Sequence, residues 1–239
     1  MFTSARLAIA LVAVALATAT SASAVTGSRP DGDAHAYVGA LVVGGSVACS
    51  GVLVAGDVFV TAGHCTASLP ADADVSVSFD TALDPDGWAL HPGTAHTHPG
   101  FRGKGNDPRD LAVVVLDEPV GIRPASLPAA GSVASVARRT LVTSVGYGYS
   151  GRASDGTWAY DGLRRAAESP LKDVDRALVT LSTREAGPCL GDSGGPQLFG
   201  DTVLAVTVGG SKDCSGKAEG YRLDTAEARD FLGRFISLP

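Results

Sequence analysis

The chain has 239 residues, 45% apolar and 18% charged, with 30 Gly and 13 Pro. That mix excludes a disordered, collagenous or coiled-coil protein and suits a strand-rich globular one, long enough to bury a large core. With 19 basic against 25 acidic side chains, a net of −6, it does not read as a nucleic-acid binder.

The first element in chain order is a leader. Met1–Arg6 carries one basic side chain, Leu7–Ala17 is apolar, and small residues end in Ala22-Ser23-Ala24. This is a signal-peptide pattern, predicting cleavage after Ala24 and export of residues 25–239. An apolar run of about 11 residues is too short for ~30 Å of hydrocarbon, and no later stretch is longer, so no membrane span is expected in the mature chain. Losing Arg6 leaves 18 basic and 25 acidic side chains, a net of −7. In an oxidising compartment the four cysteines, Cys49, Cys65, Cys189 and Cys214, read as disulfides, with three pairings open.

Val-rich runs bounded by Gly, Asp and Pro follow: Tyr37–Val43, Gly51–Thr61, Val75–Phe79, Leu111–Leu116, Leu141–Tyr147, Ala177–Leu181 and Val203–Val208. Val75–Phe79 alternates as a half-buried strand does, whereas Leu111–Leu116 is apolar throughout and reads as a strand buried on both faces. Many short strands with turn signals between them predict an all-β barrel or sandwich. His91, His96 and His98 fall in a Gly- and Pro-rich stretch read as a surface loop. Three imidazoles raise zinc, but no carboxylate or Cys completes a ligand pattern, and neither metal nor cofactor is expected. Residues 123–139, with Pro124, Pro128 and Gly131, read as a linker between halves. A helix is predicted over about 224–237, capped by Asp224, with Glu227 three residues on and Phe231, Leu232, Phe235 and Ile236 on one face.

Three strings carry chemistry: Thr61-Ala62-Gly63-His64-Cys65, Asp110-Leu111-Ala112-Val113-Val114 and Gly191-Asp192-Ser193-Gly194-Gly195-Pro196. They supply a base, a carboxylate to orient it, and a hydroxyl on a glycine-rich turn. A serine hydroxyl is a poor nucleophile unless an imidazole takes its proton, and that imidazole needs its other nitrogen held by a carboxylate. Gly191–Gly195 also satisfies the nucleophile-elbow pattern of α/β-hydrolases, but in that fold the acid and histidine follow the serine, and here both precede it.

In order, in separations of 46 and 83 residues, and in flanking cysteines, these strings resemble the signature blocks of the chymotrypsin/trypsin family of serine proteases, over nearly all of residues 25–239. The resemblance implies two antiparallel six-stranded β-barrels (about 25–125 and 140–223) and a C-terminal α-helix. It implies His64 as general base and acid, Asp110 as its orienting carboxylate, Ser193 as nucleophile, and the N–H groups of Gly191 and Ser193 as the oxyanion hole. Cys49 would pair with Cys65 around the His64 loop, a closure stabilising by roughly 3 kcal/mol, and Cys189 with Cys214 beside the substrate pocket. The protein would be a secreted endopeptidase of the bacterial type, acting as a monomer on protein or peptide substrates.

The same resemblance implies an activating role for the new amino terminus. Val25-Thr26-Gly27-Ser28 is similar to the family's mature terminus, apart from Ser28 in place of a second Gly, and Val25 would pair with Asp192. In the primary specificity pocket, Gly187 would form the floor and Gly209 the open mouth. An open pocket of this kind favours apolar side chains. Glu219, if it enters the pocket, would instead favour Lys or Arg.

Overall fold

The computed structural model describes residues 27–103, 107–153 and 155–239. The leader, with its expected cleavage after Ala24, and Val25 lie outside the described residues. Among them no helix is long and apolar enough to cross a membrane.

A two-residue strand β1 (Arg29–Pro30) precedes the first barrel. Strands β2 (Val38–Val43), β3 (Ser46–Ala55), β4 (Val58–Thr61), β5 (Val75–Ser78), β6 (His91–Thr97) and β7 (Ala112–Leu116) close in the order β2-β3-β4-β7-β6-β5. The long run Gly51–Thr61 is thus two strands, turned at Gly56-Asp57. Strand β7 is buried except for Val115, which is half-buried, as its unbroken apolar run predicts.

Strand β6 corrects the reading of residues 91–98 as a loop. Its alternation is carried by small residues, with Gly93, Ala95 and Thr97 on the half-buried face and Pro92, Thr94 and His96 exposed. It pairs along its length with β7. Tertiary pairing overrides weak local propensity here, because small side chains leave room for the neighbouring strand.

The second barrel contains β8 (Leu141–Gly146), β11 (Arg165–Val174), β12 (Leu178–Leu181), β13 (Pro196–Phe199), β14 (Thr202–Gly210) and β15 (Ala218–Arg222). Strands β9 (Gly151–Arg152) and β10 (Trp158–Ala159) form a separate ribbon. The barrel closes because β11 serves two neighbours. Arg165–Pro170 pairs with β8, while Leu171–Val174 pairs with β12 across a bulge. Pro170, which has no N–H to donate, stands where the strand changes partner. Two closed six-stranded antiparallel barrels result, as the resemblance implies.

The barrels are fastened by a cation that the sequence did not announce. Arg164, almost fully buried, donates to Asp31 Oδ2 (3.1 Å) and to the carbonyls of Val38 (3.1 Å), Phe79 (2.9 Å) and Gly32 (2.6 Å). It precedes β11 of the second barrel, while Val38 and Phe79 belong to the first. Full hydrogen bonding is what makes a buried charge tolerable.

The C-terminal helix α1 (Ala226–Leu232) is shorter than predicted, and its cap is Thr225, whose hydroxyl accepts from Ala228 N–H (3.2 Å). Asp224 is engaged elsewhere. Its oxygens meet the Arg222 guanidinium at 2.9 and 2.8 Å, and Oδ2 accepts from Val133 N–H (2.8 Å) in the connection between barrels. Phe231 and Leu232 are buried, and Phe231 covers the His98 ring at 4.9 Å.

Candidate active site

His64 sits in a short 3-10 turn directly after β4, and Asp110 immediately precedes Leu111 and β7. Because β4 and β7 are neighbours in one barrel, with Thr61 opposite Ala112, the two residues are delivered side by side. Asp110 Oδ1 accepts from the His64 backbone N–H and Oδ2 contacts Nδ1, both at 2.8 Å. A carboxylate has only acceptors to offer, so Nδ1 carries the proton and Nε2 is left with a free lone pair. Asp110 is buried, whereas the His64 side chain is 37% exposed, so the ring's working edge remains reachable. Gly63 permits this approach, since a Cβ there would lie 2.9 Å from Leu111 N.

Ser193 comes from the second barrel, on the turn before β13. The carbonyl of Ser193 accepts from Ser50 N–H in β3 (2.9 Å), and Gly194 N–H donates to Thr207 O in β14 (2.7 Å). Gly194 has φ +79, and a Cβ on it would collide with Thr61 Oγ1 and Ser50 O. The Ser193 turn is therefore pressed against the strand that ends at the His64 loop. Disulfides join Cys49 to Cys65 and Cys189 to Cys214.

Beside Ser193 lies a cavity of about 250 Å³, lined by residues including Pro188, Leu190, Gly191, Gly209 and Lys212. Gly187, next to the lining residue Pro188, is buried, and a Cβ on it would collide with Thr183 and crowd Ser169. Glu219 stands opposite Gly209 in the β14–β15 pair. One carboxylate oxygen lies 3.9 Å from where a Cβ on Gly209 would be, and the other is held by Lys217 Nζ at 2.7 Å. Asp192 is buried, accepting from Gly148 N–H and Cys189 N–H, each at 2.8 Å. Burial pushes its carboxyl up to about 6, against the pull of those two backbone donors.

Residues 24–231 match the Trypsin family. The chain belongs to the trypsin family. A trypsin of Saccharopolyspora erythraea is 31% identical over 191 residues, covering 74% of this chain and 82% of that protein. Granzyme M of Homo sapiens is 31% identical over 187 residues, covering 72% of each. A solved structure described as the atomic-resolution structure of HBP shares the fold, with a TM-score of 0.68 at 19% identity over 90% of this chain and 97% of that one. As a trypsin-family serine endopeptidase, the protein hydrolyses peptide bonds in protein or peptide substrates.

One residue of this trypsin-family site was missed in the sequence. Ser50, fully buried, donates its hydroxyl to Gly191 O (3.1 Å) and accepts from Tyr147 N–H (3.0 Å). Its N–H reaches Ser193 O, and its carbonyl accepts from Thr61 Oγ1 (2.8 Å). Position next to Cys49 was the signal available. Among the described residues, metal-ligand spacing occurs at Cys49, His64 and Cys65. The two sulfurs there form the disulfide, which leaves no thiolate to hold an ion.

Proposed function

We propose that the protein is a secreted endopeptidase that works through an acyl-enzyme on Ser193. His64 Nε2 takes the Ser193 proton as the hydroxyl attacks the scissile carbonyl. Asp110 holds the imidazole in its productive tautomer and stabilises the imidazolium, and the N–H groups of Gly191 and Ser193 bind the developing oxyanion. His64 then protonates the leaving amine and later activates water to release the acid. The observation that carries this reading is the double hydrogen bond between Asp110 and His64, which occupies Nδ1 and leaves Nε2 as the free acceptor on a partly exposed ring.

Activation is assigned to the amino group of Val25, freed by signal cleavage and paired with Asp192. Two features support this. Gly27 packs so closely on Glu185 and Ala186 that a Cβ would clash, which holds the start of the described chain beside the loop leading to Cys189. Asp192 is a buried carboxylate with backbone donors and, among the described residues, no cation.

The cavity beside Ser193 is lined by Gly191, Gly209, Gly210, Pro188, Leu190 and Cys189, with only neutral hydroxyls and the Lys212 cation as polar side chains, and favours a medium apolar side chain before the cut. A second preference, for Lys or Arg, is supported by the nearness of Glu219 to Gly209, and opposed by the Lys217 ammonium already on that carboxylate. Peptides varied at that one position separate the two. Ser193→Ala should fold, fail to react with a fluorophosphonate and lose casein hydrolysis by more than about 10⁵-fold. Undiminished hydrolysis by that variant would overturn the assignment.

A further inference from the structure

A groove of about 620 Å³ adjoins the cavity beside Ser193, and Ser211 lines both. Five of the groove's lining side chains are cationic and none is acidic: Arg138, Arg139, Lys172, Arg184 and Lys217, all exposed. In a chain of net charge −6 this is a local reversal of sign. Arg138 reaches Asp173 at 3.3 Å with both side chains largely in water, a pair worth little. Lys217 holds Glu219. Arg139, Lys172 and Arg184 meet no carboxylate among the described residues.

The cations stand on a knitted floor. Arg139 N–H donates to Leu171 O, Leu171 N–H to Thr140 O, Ser182 N–H to Pro170 O, and Thr183 N–H to Gly216 O. Arg139 itself is held at φ +69, one of two non-glycine residues with positive φ among those described. Fixed like charges with few counter-charges repel one another, and an anionic ligand relieves that repulsion.

We propose that this groove is an exosite for an acidic stretch of the polypeptide being cleaved. The inference rests on the peptidase reading, because a polypeptide is what the cleft already holds. A chain seated beside Ser193 meets the Ser211–Lys217 loop, whose other side opens on the cations. Carboxylates placed there tether the substrate, raising its effective concentration at the cleft, so the gain lies in kcat/KM and fades with salt.

The test uses the mature chain and two peptides with one cleavable core and a Gly/Ser spacer, ending in six Glu or six Gln. The Glu peptide should show roughly tenfold higher kcat/KM at low salt, shrinking toward parity as the Debye length falls to ~3 Å at about 1 M. The double variant Lys172→Gln/Arg184→Gln should erase the difference while leaving the Gln peptide's kcat/KM unchanged. Equal rates for the two peptides across spacer lengths, or a preference that survives in the double variant, would overturn the proposal. Labelled hexaglutamate should also bind the Ser193→Ala chain, a measurement independent of catalysis. If it does not bind, or if inorganic polyphosphate binds in its place, the exosite for acidic polypeptide is wrong even where cleavage of the Gln peptide upholds the peptidase.

Discussion

The two sides of the cleft are finished to different degrees. On the first-barrel side, both oxygens of Asp110 are engaged by His64, and the Cys49–Cys65 disulfide binds the loop to its strand. On the second-barrel side, the carboxylate beside Ser193, that of Asp192, is buried with two backbone donors and a carboxyl pushed up to about 6. The difference teaches that His64 is set by the first barrel itself, whereas the turn at Ser193 holds a buried carboxylate that, in the proposed activation, the Val25 amino group would neutralise. The way to break this contrast is to disturb each side separately.

The largest effect is expected on the finished side. In Asp110→Asn, the backbone N–H of His64 still needs an acceptor, so the amide oxygen stays with it. The amide NH₂ then faces Nδ1 and forces the imidazole proton onto Nε2. Turnover at neutral pH should fall about 10⁴-fold, the loss this tautomer switch carries in the serine-protease triad. The fold should survive, and a kcat within tenfold of the parent would show that the Asp110 contact is dispensable.

The unfinished side should respond to pH. Asp192 ionises more readily unfolded (3.8) than folded (about 6). While it has no cation, its contribution is fully present below about pH 4 and is lost as pH rises through 6, on the order of 3 kcal/mol. A chain acetylated at Val25 should therefore lose roughly 6–12 °C in Tm between pH 4 and 7 relative to one with a free amino group there. The comparison cancels every carboxylate the two samples share. Parallel Tm curves would remove Asp192 from activation.

This asymmetry also marks what the sequence could disclose. Strands β5 and β7 were legible because their apolar pattern is local, although β5 is buried on both faces, Ser76 and Ser78 included, and not half-buried as its alternation suggests. The pairing of Asp110 with His64 was anticipated only through the family resemblance. Strand β6 was hidden, since Gly93, Ala95 and Thr97 carry an alternation of size rather than of hydrophobicity. Strand β11 was hidden for a related reason, with Glu168, Pro170 and Lys172 on its outer face and two different neighbours along its length. The helix cap moved from Asp224 to Thr225 because Arg222, two residues earlier on a paired strand, claims that carboxylate. Arg164 and Ser50 reach across the barrel junction, where no sequence period extends.

Ser50 offers the finest test of the contrast, because it touches both sides at once. Replacing it with Ala leaves the backbone bonds to Ser193 and Thr61 in place and removes only the hydroxyl between Gly191 O and Tyr147 N–H. A buried donor and a buried acceptor are then left unsatisfied, at a cost of about 1–3 kcal/mol in stability. Were that the whole effect, kcat and KM would be unchanged wherever the variant is folded. If the hydroxyl also aims the Gly191–Ser193 turn at the oxyanion, kcat should fall roughly tenfold while KM moves less than about twofold, because the lost alignment matters only in the transition state. A stability loss with kinetics intact would make Ser50 a strut between barrels, with no part in aiming the Gly191–Ser193 turn.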